Sequence, residues 1–451
     1  MRNPISLITV NPGNAIGIIK PMHCVNNGPV CRRIGNHQYF KAAGIPYVRY
    51  HDTAHCGAYG GPHVVDVCLI FPDMSREPED ASAYDFQLTD ELIQHTLAAD
   101  SKVFYRLGAS IEHWSKKYNT LPPKDFKKWA AVCAKIIEHY NYGWNNGFHH
   151  NIEYWEIWNE PDLRESMPAH QRPTWGGTAQ EFFELYSITA KLLKERFPEI
   201  KVGGPAVSSP KTDWTGRFLK YLSQENERVP LDFFSWHRYT TEPLEIQKSA
   251  VEIRKVLDNF GYPETECILD EYNYVLDWIG EDYIYSFQTI ANEKGAAFTA
   301  ACFIAGQNSP LDMLMYYDAR PGTPFNGMFD HISKRPLKGY YPFLYFSQLY
   351  KLGMQIQCDC DDQSIFALAA KDKDTGKTAM LVAYYTDELE AKPKNIHINL
   401  DKYRDFDCRI VDATRMDGPF FPTWCPHIEN WSENHLEFTL NPQSVLLLME
   451  K

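Results

Sequence analysis

Short apolar runs of strand length alternate with amphipathic helical stretches over most of the chain. Asp125–Tyr140 carries apolar residues at three- and four-residue steps, and Thr178–Phe197 opens with an N-cap Thr178 and Glu181 at the capping-box spacing. The eight strand-like runs are Ala15–Ile19, Tyr47–His51, Val103–Leu107, Tyr154–Trp158, Val202–Gly204, Phe233–His237, Ile268–Glu271 and Met313–Tyr317. Eight such alternations over roughly 330 residues predict an α/β fold, a (β/α)₈ TIM barrel, since a helix must connect each parallel strand to the next.

The pattern changes after residue 345. Ser364–Thr386 consists of two alternating runs around the turn residues Asp372–Gly376, which is typical of a β-hairpin, and further strand-length runs follow. We therefore predict a catalytic barrel over residues 15–345 and an accessory C-terminal β-sandwich over residues 346–451. Ile5–Val10 is also β-prone, so the segment 1–14 is expected to add a strand to the sandwich.

Composition and charge exclude several classes of partner. The formal net charge of −13 argues against binding to nucleic acid or to an anionic membrane surface. No run of 18 or more apolar residues occurs, so no membrane-spanning helix is expected. No cofactor is expected either. The sequence leaves open whether the chain forms a homo-oligomer.

The cysteines and the N-terminal residues indicate in which cellular compartment the protein is expected. Eleven cysteines are an odd number without framework spacing, which indicates buried, reduced thiols. Pro4 and the run Asn11–Gly13 interrupt the apolar start of the chain, so it does not resemble a secretory signal. A cytoplasmic location is expected, with a periplasmic or secreted one as the alternative if a signal peptide has been removed.

The run Tyr154–Trp158 ends at a polar corner, Asn159-Glu160-Pro161. Pro161 lacks an N–H group and favours an extended conformation at Glu160, so the strand must end there. A carboxylate is thereby held at the C-terminal tip of a strand, which is where parallel barrels place their chemistry.

A second carboxylate, Glu271, ends the strand-like stretch "CILDEYNY" three strands later. The tips of strands four and seven face each other across the mouth of an eight-stranded barrel. A facing pair of carboxyl groups is what glycosidic bond cleavage requires, with one group protonating the departing oxygen and the other ionised against the sugar carbon. A strand-end Glu alone is structural in most proteins, so the hypothesis depends on the pair.

Polar neighbours accompany both acids. The Asn159 side-chain amide can hydrogen-bond a sugar 2-hydroxyl. In "FFSWHRY", strand alternation sends His237 and Tyr239 to one side and Arg238 to the other, so either of the first two can steer Glu271.

The second strand-like run ends in a further pair of alternating polar residues, Arg49 and His51. Arg49 is expected to keep Glu271 ionised, since a nearby positive charge lowers the pKa of a carboxyl group.

The stretches "VRYHD", "EIWNEPD", "SWHRY" and "LDEYN", in this order and spacing, resemble family 39 of the glycoside hydrolases. That family includes β-xylosidases and α-L-iduronidases and belongs to a clan of retaining barrel enzymes. The likeness extends over nearly the whole chain. The resemblance implies that Glu160 is the acid/base, that Glu271 is the nucleophile, and that the anomeric configuration is retained. It further implies that the sugar site is lined by Asn159, His51, His237 and Tyr239.

One departure from the family pattern concerns the sugar. Family members commonly carry a Tyr-Trp pair at the end of strand eight, where this chain has Tyr316-Tyr317. Tyr317 is narrower than Trp and adds a hydroxyl, so the sugar accepted can differ from xylose. We expect exo-action on xylose-type neutral glycosides, with arabinose-, galactose- or glucose-containing oligosaccharides or α-L-iduronides as alternatives.

Two readings compete with hydrolysis by paired carboxylates. His51, His55, Cys56 and His63 could hold a catalytic metal, but His51 and His55 stand four apart in a predicted loop rather than on a helix face. We therefore expect no metal. The other alternative is a non-catalytic carbohydrate-binding protein on the same scaffold, which the presence of both acids disfavours.

Overall fold

The computed structural model describes residues 5–29, 35–53, 63–210, 213–224, 228–425 and 435–451. Elements are numbered along the chain. Strand β1 (Ile5–Ile18) precedes a closed barrel of eight strands whose neighbours pair in parallel. The barrel strands are β2 (Cys24–Asn26), β3 (Tyr47–Arg49), β4 (Lys102–Leu107), β5 (Tyr154–Ile157), β6 (Lys201–Val207), β7 (Phe233–Thr240), β8 (Glu266–Tyr274) and β9 (Met313–Tyr316). The predicted TIM barrel is confirmed.

Helices connect the barrel strands and lead into a second sheet. They are α1 (His37–Ala43), α2 (Val67–Ile70), α3 (Gln87–Ala98), α4 (Phe126–Tyr142), α5 (Ala179–Arg196), α6 (Asp213–Gln224), α7 (Leu244–Asn259), α8 (Gly280–Ile290), α9 (Glu293–Gln307) and α10 (Tyr341–Leu352). The capping box at the start of α5 forms as the sequence predicts, with Thr178 and Glu181 bonding each other's backbone N–H groups.

The C-terminal unit is one ten-stranded sheet that includes β1. Its other strands are β10 (Gly353–Cys360), β11 (Ile365–Asp372), β12 (Thr378–Tyr384), β13 (Lys394–Asn399), β14 (Phe406–Val411), β15 (Gly418–Pro419), β16 (Thr423–Cys425), β17 (His435–Leu440) and β18 (Ser444–Glu450). Their order is β15-β14-β18-β12-β11-β10-β1-β13-β17-β16.

The prediction that Ala15–Ile19 forms the first barrel strand is wrong. Residues 15–18 are the end of β1, which pairs antiparallel with β10 and, through its earlier residues, parallel with β13. The boundary placed at residue 15 falls inside this strand, and the barrel begins at β2. A strand of three residues, all of them buried, leaves no periodicity in the sequence to detect.

Alternation along β11, β12 and β18 gives the sheet two apolar faces. One face packs with α9 and α10 in the main core, through Leu368, Ala370, Leu381, Ala383, Val445 and Leu447. The other face meets residues of β13 and β17 in a separate core, which contains Ala369, Met380, Val382, Leu446, Leu448, Ile396, Ile398 and Leu436. Because both ends of one sheet share this second core, the sheet folds over on itself.

The barrel interior is built in layers two residues apart along each strand. The lower layer is apolar and consists of Cys24, Tyr47, Phe104, Tyr154, Phe233, Ile268, Met313 and Met315. Two positions further along six of these strands lie buried polar residues, namely Asn26, Arg49, Arg106, Glu156, Ser235 and Asp270. Since side chains at i and i+2 share a face, the packed layer supports a polar layer directly above it.

The helices and the cysteines show whether the described chain could cross a membrane and whether its thiols are paired. Among the described residues, none of the helices has the length and apolar character needed to cross a lipid bilayer. The cysteines that the structure describes as free thiols are Cys24, Cys68, Cys133, Cys267, Cys302, Cys358, Cys360 and Cys408.

The Ile268 side chain is fully buried in the apolar layer, so replacing it should lower the stability of the protein. Ile268→Ala is expected to lower the free energy of unfolding by about 2–5 kcal/mol, because it removes apolar contacts and leaves a cavity. Denaturant titration measures the change. Ile332→Ala is the matched control, since Ile332 is 86% exposed, and should change it by less than about 0.5 kcal/mol. Equal losses in the two variants would contradict the assigned packing.

Candidate active site

The corner after β5 holds Glu160 at the mouth of the barrel. The Glu160 N–H donates to the carbonyl of Ala206 at 2.8 Å, and its own carbonyl accepts from Thr174 Oγ1 at 2.5 Å. The extended conformation predicted from Pro161 is wrong, because Glu160 has a φ of +46°. A non-glycine residue in this left-handed region is strained, and such strain concentrates at functional sites where the surroundings enforce it.

A β-bulge in β8 brings Glu271 to the same cavity. The pairing of β7 with β8 passes from Trp236↔Leu269 to His237↔Glu271, so Asp270 is skipped. Strict alternation would send Asp270 and Glu271 to opposite faces of the strand. The bulge re-aims the chain, and both carboxylates face the barrel interior.

Glu160 and Glu271 form a close pair across the barrel mouth. One carboxylate oxygen of each acid and a ring nitrogen of His237 all lie within 4.8 Å of one another. Retaining glycosidases hold their carboxyl groups about 5–5.5 Å apart and inverting ones about 6.5–9.5 Å apart. The observed approach fits the shorter range better than the longer one, in which the gap holds a water molecule between the general base and the sugar carbon.

Arg49 is fully buried beneath this pair and binds groups from several strands. Its Nε lies 2.7 Å from Glu156 Oε2 and 3.0 Å from Asp270 Oδ2. Its Nη1 donates to Glu271 Oε1 at 2.8 Å and to Asn26 Oδ1 at 3.0 Å, and its Nη2 donates to Asn159 Oδ1 at 2.7 Å. The guanidinium therefore fixes one oxygen of Glu271 and the carbonyl end of Asn159.

The pKa of Glu271 moves in the direction opposite to the one expected from Arg49. Burial is the largest influence and raises the pKa to about 7, with further upward contributions from Glu160 and Asp270. The positive charges of His237 and Arg49 offset part of this rise. Desolvation of a carboxylate outweighs the neighbouring cations here, which a sequence pattern does not reveal.

Glu156 and Asp270 form a second buried carboxyl pair below the first. Burial raises the pKa of Glu156 to about 8, against the opposing charge of Arg49. Burial would also raise the pKa of Asp270, but Arg49 and His237 bring it below its ordinary value. Neither Asp270 oxygen accepts a well-aligned hydrogen bond from a described donor. We infer that Glu156 keeps its proton while Asp270 is ionised.

His237 and Tyr239 project from β7 toward the acids, whereas Arg238 turns outward to Glu245 on α7. His237 Nδ1 lies 2.7 Å from Glu160 Oε1 and 3.4 Å from Glu271 Oε2. Burial lowers the pKa of His237, but the charges of the surrounding carboxylates outweigh it and the pKa lies well above its ordinary value. Tyr239 donates its hydroxyl to Glu271 Oε2 at 2.8 Å, so both oxygens of Glu271 are held.

Asn159 and His51 offer unpaired polar atoms to the cavity region. Among the described residues, Asn159 Nδ2 and His51 Nδ1 have no hydrogen-bond partner although both are buried. Burial, together with the charges of Arg106 and Arg49, lowers the pKa of His51 well below its ordinary value, so the ring is neutral. A buried donor and a neutral imidazole next to two acids can satisfy their hydrogen bonds with sugar hydroxyls.

The cavity above the acids has a volume of about 490 Å³, within the range of small-molecule sites. Of the predicted site residues, His51, Glu160, Tyr239, Glu271 and Tyr317 line it. Of the other three, Arg49 and His237 contact the acids, and Asn159 is bound by Arg49. Tyr317 donates its hydroxyl to Asp52 Oδ2 at 3.3 Å. Aromatic rings that the sequence argument missed complete one wall, namely Trp278, Tyr283 and Phe325.

Two groups of residues in the described ranges bring potential metal ligands within 4.8 Å of one another. One is the acid pair with His237, and the other is His397, His435 and Glu437 on β13 and β17. His51 and His63 belong to neither group, while His55 and Cys56 lie outside the described residues. The described residues thus give no support to the hypothesis that this segment binds a metal.

The sequence did not lead us to predict that Glu156 and Asp270 form a buried carboxyl pair beneath the site. A signal for Glu156 was present, since it alternates with large apolar residues on a short buried strand. Asp270 carried a signal too, since it stands two positions after Ile268, which faces the barrel interior. The bulge is what brings Glu271 to the same side.

The chain resembles several known proteins. The family model described as "Glycosyl hydrolases family 39" matches residues 63–259, a range that contains Glu160 and His237 but ends before Glu271. A curated "Beta-xylosidase" of Geobacillus stearothermophilus is 29% identical over 187 residues, which are 38% of this chain and 34% of that protein. A "Beta-xylosidase" of Caldicellulosiruptor saccharolyticus is 26% identical over 261 residues, 53% of this chain and 48% of that protein. The matches thus span between about a third and about half of these relatives.

A solved structure shares the whole architecture. The crystal structure of a glucosidase from Croceicoccus marinus superimposes with a TM-score of 0.79, covers 100% of both chains and is 20% identical in sequence. At this identity the likeness concerns the fold, a barrel with a second domain made mostly of sheet.

The raised pKa of Glu156 predicts that the stability of the protein depends on pH. A carboxyl group whose pKa is higher in the folded than in the unfolded chain loses its stabilising contribution as the pH rises between the two values. Glu156→Gln mimics the protonated side chain, so the unfolding free energy of the variant should fall less between pH 5 and pH 8 than that of the wild type, by about 1–3 kcal/mol. Denaturant titrations at both pH values measure this, and equal losses in the variant and the wild type would contradict the protonation of Glu156.

Proposed function

We propose that the chain, which matches the family 39 glycosyl hydrolase model over residues 63–259 and resembles curated β-xylosidases, cleaves glycosidic bonds with retention of configuration. The proposed activity is that of a β-xylosidase-like enzyme acting from the end of a glycoside or oligosaccharide on a neutral sugar. The observation that carries the proposal is the approach of Glu160 and Glu271 to within 4.8 Å around one cavity.

In the first step, Glu271 attacks the anomeric carbon and forms a glycosyl ester. Glu160 gives its proton to the glycosidic oxygen as the bond to the leaving group breaks. Arg49 and Tyr239 each hold one oxygen of Glu271, so the attacking carboxylate needs no reorientation during the step.

In the second step, Glu160 takes a proton from water, and the oxygen of that water attacks the anomeric carbon. The ester bond to Glu271 breaks and the carboxylate is restored. Two successive inversions give net retention. The free Nδ2 of Asn159 is placed to donate to a sugar hydroxyl, a contact that strengthens in an oxocarbenium-like transition state.

The charges around the floor of the cavity favour a neutral sugar. A uronic acid bound over Glu271 would need a cation for its carboxylate. The Arg49 donors are committed to protein oxygens, and Arg320 pairs with Asp318 and the Asp52 carbonyl. Arg238 pairs with Glu245. None of these three lines the cavity, which disfavours α-L-iduronides.

Hydrolysis of a panel of aryl glycosides, followed by NMR of the product, tests the proposal. The panel holds the xyloside, arabinoside, galactoside, glucoside and iduronide. We expect the xyloside or another neutral sugar to be cleaved, with the first-formed product in the configuration of the substrate. Glu271→Gln should lower kcat at least about 10⁴-fold. An inverted first product, or a Glu271→Gln variant as active as the wild type, would refute the assignment.

Replacement of Glu160 separates the two steps. Glu160→Ala should still form the ester from a dinitrophenyl glycoside, whose leaving group needs no proton, but should hydrolyse the ester slowly. Added azide should restore turnover and yield a glycosyl azide of retained configuration, because a small anion fits the vacated space. Glu165→Ala is the matched control on the same loop, since Glu165 binds Arg217, and azide should not accelerate it. Absence of the azide product would remove Glu160 from the acid/base role.

A further inference from the structure

The cavity has two chemically different walls. The segments after β8 and β9 contribute uncharged aromatic rings, among them Trp278 and Phe325 in loops and Tyr283 on α8. The loops after β4, β5 and β6 contribute Glu160 together with Ile111, His113, Leu163, Arg164, Pro173 and Ser208. Two exposed nitrogen-bearing side chains, those of His113 and Arg164, therefore stand on the wall that carries the proposed acid/base.

Arg164 lies four residues after Glu160 and lines the cavity. Its guanidinium makes no hydrogen bond or ion pair with another residue in the described parts of the chain. The two acids beside it in sequence are committed elsewhere. Asp162 accepts from the backbone and hydroxyl of Ser208, and Glu165 binds Arg217 at 2.6 Å. The carboxylates of this loop thus bind other partners, and its Arg is left facing the cavity.

The neighbouring loop shows the same arrangement around His113. Glu112 is buried and accepts the backbone N–H groups of Tyr118 and Asn119 at 2.7 and 2.9 Å. His113 is exposed and lines the cavity, where its ring can donate a hydrogen bond. Lys117 lies close enough that Arg164 contributes to lowering its pKa, after the larger effect of burial. Positive charge therefore accumulates on this side of the mouth.

The position of the proton donor tells which part of a substrate meets this wall. Glu160 must reach the glycosidic oxygen, so the leaving group extends beside Glu160 and its loop. The sugar that becomes attached to Glu271 lies over the floor, where the arginines are already paired. A cation that is free to bind substrate is thus found on the leaving-group side.

We propose that the leaving-group side of the cavity binds a carboxylate-bearing unit, such as a uronic acid residue, through Arg164 with His113 as a second donor. The substrate class is then a neutral sugar linked to an acidic unit. A guanidinium can bind a carboxylate with two parallel hydrogen bonds, which gives geometric selectivity as well as attraction. This inference rests on the proposed function and adds the chemistry of the leaving group to it.

The test compares two aryl glycosides of the same sugar, a 4-carboxyphenyl glycoside and its methyl ester. The ratio of their kcat/KM values is measured in the wild type, in Arg164→Gln and in Arg164→Glu. Intrinsic leaving-group ability cancels between the proteins, so only the contact with the carboxylate remains. The ratio should fall about three- to tenfold in Arg164→Gln and further in Arg164→Glu, through KM more than kcat. Arg76→Gln removes an equal charge from an exposed pair with Asp80, away from the residues that line the cavity, and should keep the wild-type ratio.

The dependence of the acid-to-ester ratio on salt concentration is a second measurement. Raising the ionic strength should lower the acid-to-ester ratio of the wild type and leave that of Arg164→Gln flat, because exposed charges are screened. Equal ratios in wild type and Arg164→Gln would overturn the acidic subsite, while continued cleavage of the ester, lost in Glu271→Gln, would leave the glycosidase assignment intact. Cleavage of neither substrate, nor of any glycoside in the panel, would overturn both.

Discussion

The buried guanidinium of Arg49 is the interaction on which the site depends. A charge with no solvent exposure must be compensated by hydrogen-bonded partners, and its donors reach oxygens on β2, β5 and β8 and on the corner after β5. These partners include Glu271 of the upper carboxyl pair and both members of the lower pair, Glu156 and Asp270. Removing the guanidinium would leave several buried carboxylates with too little positive charge. Arg49 thus fixes the geometry of Glu271 and opposes the rise that burial causes in the pKa values of Glu156 and Glu271.

Sequence periodicity predicted the barrel and the edge at which its chemistry lies, because both follow from local alternation and from the rule that strand ends in a parallel barrel share one rim. It also paired Glu160 with Glu271 through the count of intervening strands. The short strand β2 escaped detection since three buried residues carry no pattern, and the preceding residues joined the distant sheet instead. Such long-range pairing is decided by the whole fold.

The detailed geometry of the site could not be predicted from the sequence for a different reason. Asp270 and Glu271 both face inward because one residue is skipped in the pairing with β7, and a bulge of this kind is not encoded by alternation. Glu160 takes a positive φ against the preference set by Pro161, since hydrogen bonds from Thr174 and to Ala206 hold the corner. The pKa of Glu271 reflects burial, a property of the assembled barrel.

Charge is therefore used in two ways in one cavity. At the floor, cations and carboxylates compensate one another in a low-dielectric interior, where each contact is strong and a change in one group shifts the protonation of the rest. A floor saturated in this way positions the acids and offers no free charge to the sugar. At the rim, Arg164 and His113 are exposed, so their contacts are weaker and screened by salt, and changing them leaves the buried network unaltered. Selectivity for the charge of a substrate can thus change at the rim without a change in the chemistry at the floor.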